Sequence, residues 1–402
     1  MKLFMHKGLK TALINMFVDP ENGFLKLTLT DEEGGVLYVP GGEEVSPLMG
    51  EIIKGSRGSI FVIAQDYHPR THISFMPNHS GIMGYRIERF KELLKEHGQP
   101  IPSDEQELFT RAQQPVHFFN GFDQAPARFP FPEIVLDENR DIIGLKEADG
   151  RIREVRVETS SGLDPQKNDR GRVTKVLDSY HSKTFDECRK EGRLISTQTL
   201  WTVHCVQGTQ SCLYPASMKL PLGLQQKLAG DMASKVIHHR DAATDNEFWV
   251  VRKGMDPEID SYGIGVENDG RTMTPAWEVF AQIAEALKRL GCEQVIINGG
   301  GLATNFCVEF SLNNTADFLA GQFKMKGMQV QINFVPEISR GIPIPGGADM
   351  PFSLDGTAER LAGRGIGQAT VAEIMALSAL TTPEKPLYAP LVPVVPEERA
   401  PN

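Results

Sequence analysis

The chain has 402 residues, 40% of them hydrophobic and 23% charged, with a formal net charge of −10. That length allows two ordinary domains or one large domain with insertions, and the composition excludes a disordered chain. The acidic balance argues against nucleic acid as the main partner, and no apolar stretch is long enough to cross a membrane.

The first apolar run, residues 11–18, ends in Asp19 and a turn through Pro20, Asn22 and Gly23. Too short for a signal peptide and without a small-residue cleavage site, it reads as a first core strand. A helix is expected over Val45 to Lys54, then a second strand over 59–65 ending in Asp66-Tyr67-His68-Pro69. Asp66 and His68 are two apart, so extended backbone points both to one face, as two ligands of one metal ion require. Taken alone, the pair is more often a polar strand-end turn. His72 reads as structural, and His79 as a surface residue before a pocket cap or a fourth ligand.

Residues 80–199 have a different texture. A helix-like stretch around 87–98 precedes an aromatic- and proline-rich patch, and alternation over 133–160 reads as a small β-meander. Turn signals fall at Glu138-Asn139 and Asp149-Gly150, 162–172 reads as a polar loop, and 176–192 as a helix. The main fold resumes at Leu200. Residues 247–253 read as a third strand ending in Lys253, and a loop carries Tyr262. Thr274 and Pro275 open a helix whose stripe is Val279, Phe280, Ile283, Leu287 and Leu290, stopped by Gly291. Val295 to Ile297 form a strand that Gly299 to Gly301 break, and a helix then carries Cys307 in its first turn. There the helix dipole and free N–H groups lower a thiol's pKa and can hold an oxyanion, while a buried structural cysteine fits this stretch alone equally well. A last strand follows at 329–338, then a helix over 366–380 and a proline-rich tail expected to be extended or disordered.

Strands alternating with helices define an α/β fold with a mostly parallel sheet and helices on both faces. The domain expectation is 1–79 with 200–345 as one discontinuous domain, 80–199 as an α+β insertion, and 346–402 as a C-terminal helix and tail. Sites in such sheets lie beyond the strands' carboxyl ends. Asp19, Asp66, His68, Lys253 and Cys307 all fall there, and their joint placement points to catalysis. The five cysteines, Cys188, Cys205, Cys212, Cys292 and Cys307, have neither zinc-knuckle nor disulfide-framework spacing, which suits a cytoplasmic protein.

Several of these segments together resemble the isochorismatase-like cysteine hydrolases, and among them the nicotinamidase/pyrazinamidase family. Val18 to Phe24 is similar to the family's opening motif, with Asp19 as its aspartate. Gln65 to Phe75 is similar to the metal motif, and Leu200 to Thr209 to the segment whose histidine, here His204, is the third ligand. Lys253 with Tyr262 nine residues on, and Gly301 to Val308 with Cys307, match the remaining elements. The resemblance covers about 10–79 and 200–340. Glu21 and Gly23 replace the usual Gln and Asp, Tyr67 the usual Trp, and Gly263 the usual Ser.

The resemblance implies a three-layer isochorismatase-like fold and hydrolysis of nicotinamide to nicotinate and ammonia in NAD salvage. It implies Asp19, Lys253 and Cys307 as the catalytic set. Backbone N–H groups of Ala303 and Cys307 would form the oxyanion site, with a cis peptide at Leu302-Ala303. Asp66, His68 and His204 would hold one divalent ion, with zinc named first and manganese or iron as alternatives. Phe24, Trp201, Tyr262 and Leu302 would bind a small carboxamide. No nucleic acid or membrane partner is expected, and a homo-oligomer is left open. Two other readings stand beside this one: a related cysteine amidohydrolase for another small amide or carbamoyl substrate, and a scaffold protein on a retained hydrolase fold. The insertion is expected over or beside the site entrance.

Overall fold

The structure, a computed structural model, describes residues 1–25, 37–113, 131–137, 142–146, 151–158, 175–191, 196–343 and 352–380. The main sheet contains β1 (Phe4–His6), β2 (Leu9–Val18) and β3 (Ile60–Asp66). A second sheet follows in the chain, with β4 (Glu133–Leu136), β5 (Ile142–Lys146), β6 (Ile152–Glu158), β7 (Lys175–Lys183) and β8 (Ser196–Thr199). The main sheet is then completed by β9 (Val236–Arg240), β10 (Glu247–Lys253), β11 (Gln294–Gly301), β12 (Gln329–Phe334) and β13 (Gly367–Gln368).

Its order is β13-β12-β11-β2-β3-β10-β9, with β1 against the start of β2. Every pairing is parallel except β10 with β9 and β1 with β2. All seven residues of β3 and all seven of β10 are buried. That is why Ile60 to Ala64 and Phe248 to Val251 read as apolar runs rather than alternating ones: these strands are covered on both faces. Opposite coverage is visible at two adjacent glycines. A side chain at Gly299 would meet Leu312, and one at Gly300 would meet Ile338 from the other layer. The helix Ala276–Arg289 buries Val279, Phe280, Ile283 and Leu287 and leaves Glu278, Glu285 and Lys288 in water.

From β2 the chain moves one way to β3 and β10, then crosses back to β11 on the other side of β2. The carboxyl ends of β2 and β11 therefore flank a topological switch point, where a crevice opens. Among the described residues no helix is long and apolar enough to cross a membrane.

Several expectations change. Gly299 to Gly301 do not break β11: they pair with Met16, Phe17 and Val18 of β2. Glycine is required at 301 because φ is 147° and a Cβ would lie 1.9 Å from the Val18 carbonyl oxygen. The stretch expected as a helix over 176–192 is strand β7 followed by a short helix, Phe185–Lys190. The meander is a five-stranded antiparallel sheet, β7-β6-β5-β4-β8. Within the helix expected over 366–380, Gly367–Gln368 is strand β13 beside β12, and the helix Val371–Ala379 follows and packs on the Val45–Gly55 helix. The turns at Glu138-Asn139 and Asp149-Gly150, the loop 162–172 and the tail from 381 lie outside the described residues.

Candidate active site

Asp19 follows β2 directly and is fully buried. Its φ is 48°, a left-handed conformation uncommon for a residue with a side chain and often found where function requires it. Lys253 ends β10, level with Asp66 at the end of β3. Its ammonium lies 2.9 Å from Asp19 Oδ2 and pairs with Asp66 Oδ1. It also donates to the Ser261 carbonyl at 2.9 Å and lies 3.6 Å from Cys307 Sγ. Cys307 sits in a π-helical turn, Thr304–Val308, that opens the segment of helix running on to Lys324. The peptide bond Leu302-Ala303 is cis, as the resemblance implied.

Burial pushes Asp19 up to about 7, and the Asp66 charge adds to it against the pull of Lys253. Burial acts on Asp66 in the same sense, but Lys253 and the imidazoles of His68 and His204 overcome it and hold this acid well below the usual carboxylate range. The two acids thus have different resting states, the condition for one to carry a proton while the other stays charged. Burial also opposes the charge on Lys253, but both aspartates hold it well above the ordinary amine value. For Cys307 the sequence-level expectation is reversed. Burial lifts the thiol well above its ordinary value, and the nearby Lys253 offsets this only in part. At neutral pH this thiol is uncharged and would need a base to become a thiolate.

The three metal candidates converge. His68 Nε2 and His204 Nε2 lie 3.5 and 3.6 Å from the same oxygen, Asp66 Oδ2. Each imidazole donates its Nδ1 hydrogen to a backbone carbonyl, His68 to Gly254 at 3.0 Å and His204 to Thr202 at 2.6 Å. Each Nε2 thus faces the carboxylate, and once it gives up its proton its lone pair is free to hold a cation there. These donors, two imidazoles and one carboxylate within 4.8 Å of one another, fit a divalent transition metal. Gly254 is required for this: its φ is 63°, and a Cβ would lie 2.3 Å from the His68 ring.

One cavity is lined by Asp66 and His204 of the metal cluster and by Cys307. Phe24, Trp201 and Tyr262 line it as expected, and so does Ala303. Trp201 donates its indole N–H to the Tyr262 hydroxyl at 3.1 Å. Leu302 does not line the cavity; its side chain is in the core. His72 is structural, with Nδ1 2.7 Å from Ser74 Oγ and Nε2 3.2 Å from the Ile259 carbonyl. His79, expected at the surface, is fully buried because its Nε2 reaches the Ile73 carbonyl at 2.8 Å.

Sequence reasoning missed Asp260, Phe306 and Ile342 in the wall, and the carbonyls of Ser261, Gly254 and Thr202. Backbone carbonyls carry no residue-type signal. Asp260 is held from the inserted sheet, where Gln198 of β8 donates to its Oδ2 at 2.8 Å. Phe131, just before β4, packs on Trp201 with ring centroids 4.6 Å apart. The second sheet therefore lies beside the cavity. Glu21, the departure in the opening motif, is fully buried, and burial followed by Asp19 and Asp66 raises it well above the carboxylate range. Protonated, it has the neutrality and approximate shape of a glutamine.

The arrangement is that of a buried thiol beside an ammonium, two acids paired to that ammonium, and a candidate cation site on the same cavity. It equips the pocket for nucleophilic attack on a carbonyl carbon. No family model matches the chain. The chain is 37% identical over 81 residues to the nicotinamidase of Acinetobacter baylyi, a match of 20% of this chain that spans about a third (33%) of that relative. It is also similar to a solved Acinetobacter baumanii nicotinamidase/pyrazinamidase, at 19% identity and TM-score 0.42, covering 92% of this chain and 100% of that one. For the yeast nicotinamidase the values are 15% and 0.42, covering 89% and 99%.

Proposed function

We propose that the protein is a nicotinamidase of the isochorismatase-like family, hydrolysing nicotinamide to nicotinate and ammonia. The observation that carries this reading is one cavity reached by Cys307 and by the wall residues Asp66 and His204 of the two-imidazole, one-carboxylate cluster. The 81-residue likeness to a nicotinamidase supports it.

In the proposed mechanism Asp19 takes the Cys307 proton while Lys253 holds the negative charge that develops. The thiolate attacks the carboxamide carbon, and the N–H groups of Ala303 and Cys307 receive the oxyanion. Asp19 returns its proton to the leaving nitrogen, so the C–N bond breaks and ammonia departs, leaving a Cys307 thioester. Water then adds with Asp19 as base. Nicotinate leaves and the thiol is restored. Asp66, His68 and His204 would hold one divalent ion, zinc in first place, and a bound ion would supply a Lewis acid for the pyridine nitrogen. Phe24, Trp201 and Tyr262 would wall the ring. NAD salvage and a cytoplasmic location are part of this reading.

The test is ammonia release from nicotinamide by the purified protein, beside Cys307→Ala and a chelated sample. Loss in the variant and a fall on chelation support the reading. No release from metal-supplemented wild type overturns it in favour of another amide.

A further inference from the structure

Asn305 stands between Ala303 and Cys307 and is fully buried. Its side chain acts as a clasp on chain far ahead of it. Oδ1 accepts the Ile342 N–H at 3.0 Å, and Nδ2 donates to the Ile342 carbonyl at 2.9 Å and the Phe352 carbonyl at 2.7 Å. Both amide hydrogens and the carbonyl oxygen are thus engaged, which an aspartate could not reproduce.

The chain held in this way shapes the pocket. Ile342 lines the cavity, as does Phe306. The Phe352 ring lies nearly parallel to Phe306, with centroids 5.2 Å apart and 8° between planes, and over Phe310 at 6.0 Å and 14°. A second tie follows in the helix Thr357–Gly363. Arg360 forks onto Glu309 with Nε and Nη2 each at 2.7 Å, and Nη2 also donates to the Ser353 carbonyl at 2.8 Å. Both ties land on residues 305–309, the segment carrying the nucleophile.

We propose that Asn305 is a positioning residue that sets the width of the ring pocket. It fixes the Ile342 wall and the Phe306–Phe352 stack, so the pocket selects a flat single-ring carboxamide over a fused-ring one. This rests on the amidase reading above. The Ile342 and Phe306 walls meet the ring rather than the reacting carbon, so moving them acts on which rings the pocket accepts.

The experiment uses the full chain, Asn305→Asp and Ile342→Ala, with nicotinamide and quinoline-3-carboxamide as substrates. A second readout is the rate at which iodoacetamide alkylates Cys307, followed by mass spectrometry. Asn305→Asp is expected to raise KM for nicotinamide about tenfold while kcat changes less than about threefold, and to speed Cys307 alkylation. Ile342→Ala, which leaves the clasp intact, is expected to raise the fused-ring to single-ring ratio of kcat/KM about tenfold. Unchanged KM and alkylation in folded Asn305→Asp overturns the proposal, as does an unchanged ratio in Ile342→Ala. If Asn305→Asp does not fold, the Ile342→Ala ratio decides. If wild type releases no ammonia from nicotinamide, the functional reading falls by itself. Alkylation then decides the clasp: faster in Asn305→Asp supports it, and an equal rate overturns it.

Discussion

The Lys253 ammonium lies 3.6 Å from Cys307 Sγ and is itself buried with no more than 1% of its surface exposed. A charge in that position is held by Asp19 and Asp66 rather than by water. Lys253→Met would strand two buried carboxylates. A loss of about 3–5 kcal/mol in unfolding free energy is expected, since breaking a buried pair costs far more than the pair contributes. Urea unfolding at neutral pH measures it. A variant as stable as wild type would mean that the carboxylates find other partners.

In the proposed mechanism Asp19 must be ionised to accept the thiol proton, and burial raises its pKa to about 7. Below that pH the acid is protonated and cannot act as base, so kcat/KM is expected to fall about tenfold per unit towards acid. Above it the rate levels off. A profile taken from about pH 5 to about pH 9 checks the sign and position of this limb. A rate that stays flat down to about pH 5 would exclude Asp19 as the titrating base.

Gly254 carries the carbonyl that orients His68, and no side chain fits there. Gly254→Ala is expected to turn the imidazole and weaken metal retention about 10–100-fold, the usual cost of losing a ligand's supporting hydrogen bond. Metal content after dialysis against a competing chelator measures this directly. Retention equal to wild type would show that His68 does not depend on that carbonyl.

The residues at strand ends were legible because a buried parallel strand announces itself as an apolar run, and the polar residue closing it must face the crevice. Asp19, Asp66 and Lys253 were found that way. What could not be read was distance across the sheet: nothing local to Lys253 says that it joins both aspartates. Nor could the depth of the site be read, which is why the direction of the Cys307 shift was misjudged. The β7 error was avoidable. Thr184 and Glu187 form a capping box, with the Glu187 carboxylate accepting the Thr184 N–H and hydroxyl and the Thr184 hydroxyl accepting the Glu187 N–H. That pattern places the helix start after Thr184 and leaves the preceding residues to a strand. Thr370 and Glu373 repeat it at the helix Val371–Ala379.

The most direct test of the central claim is to quench metal-loaded wild type with acid during turnover of nicotinamide and map the acyl group by peptide mass spectrometry. A nicotinoyl group on Cys307, absent from Cys307→Ala, is the expected result. Continued ammonia release with no acyl group on Cys307, or with one on another residue, would contradict the thioester route.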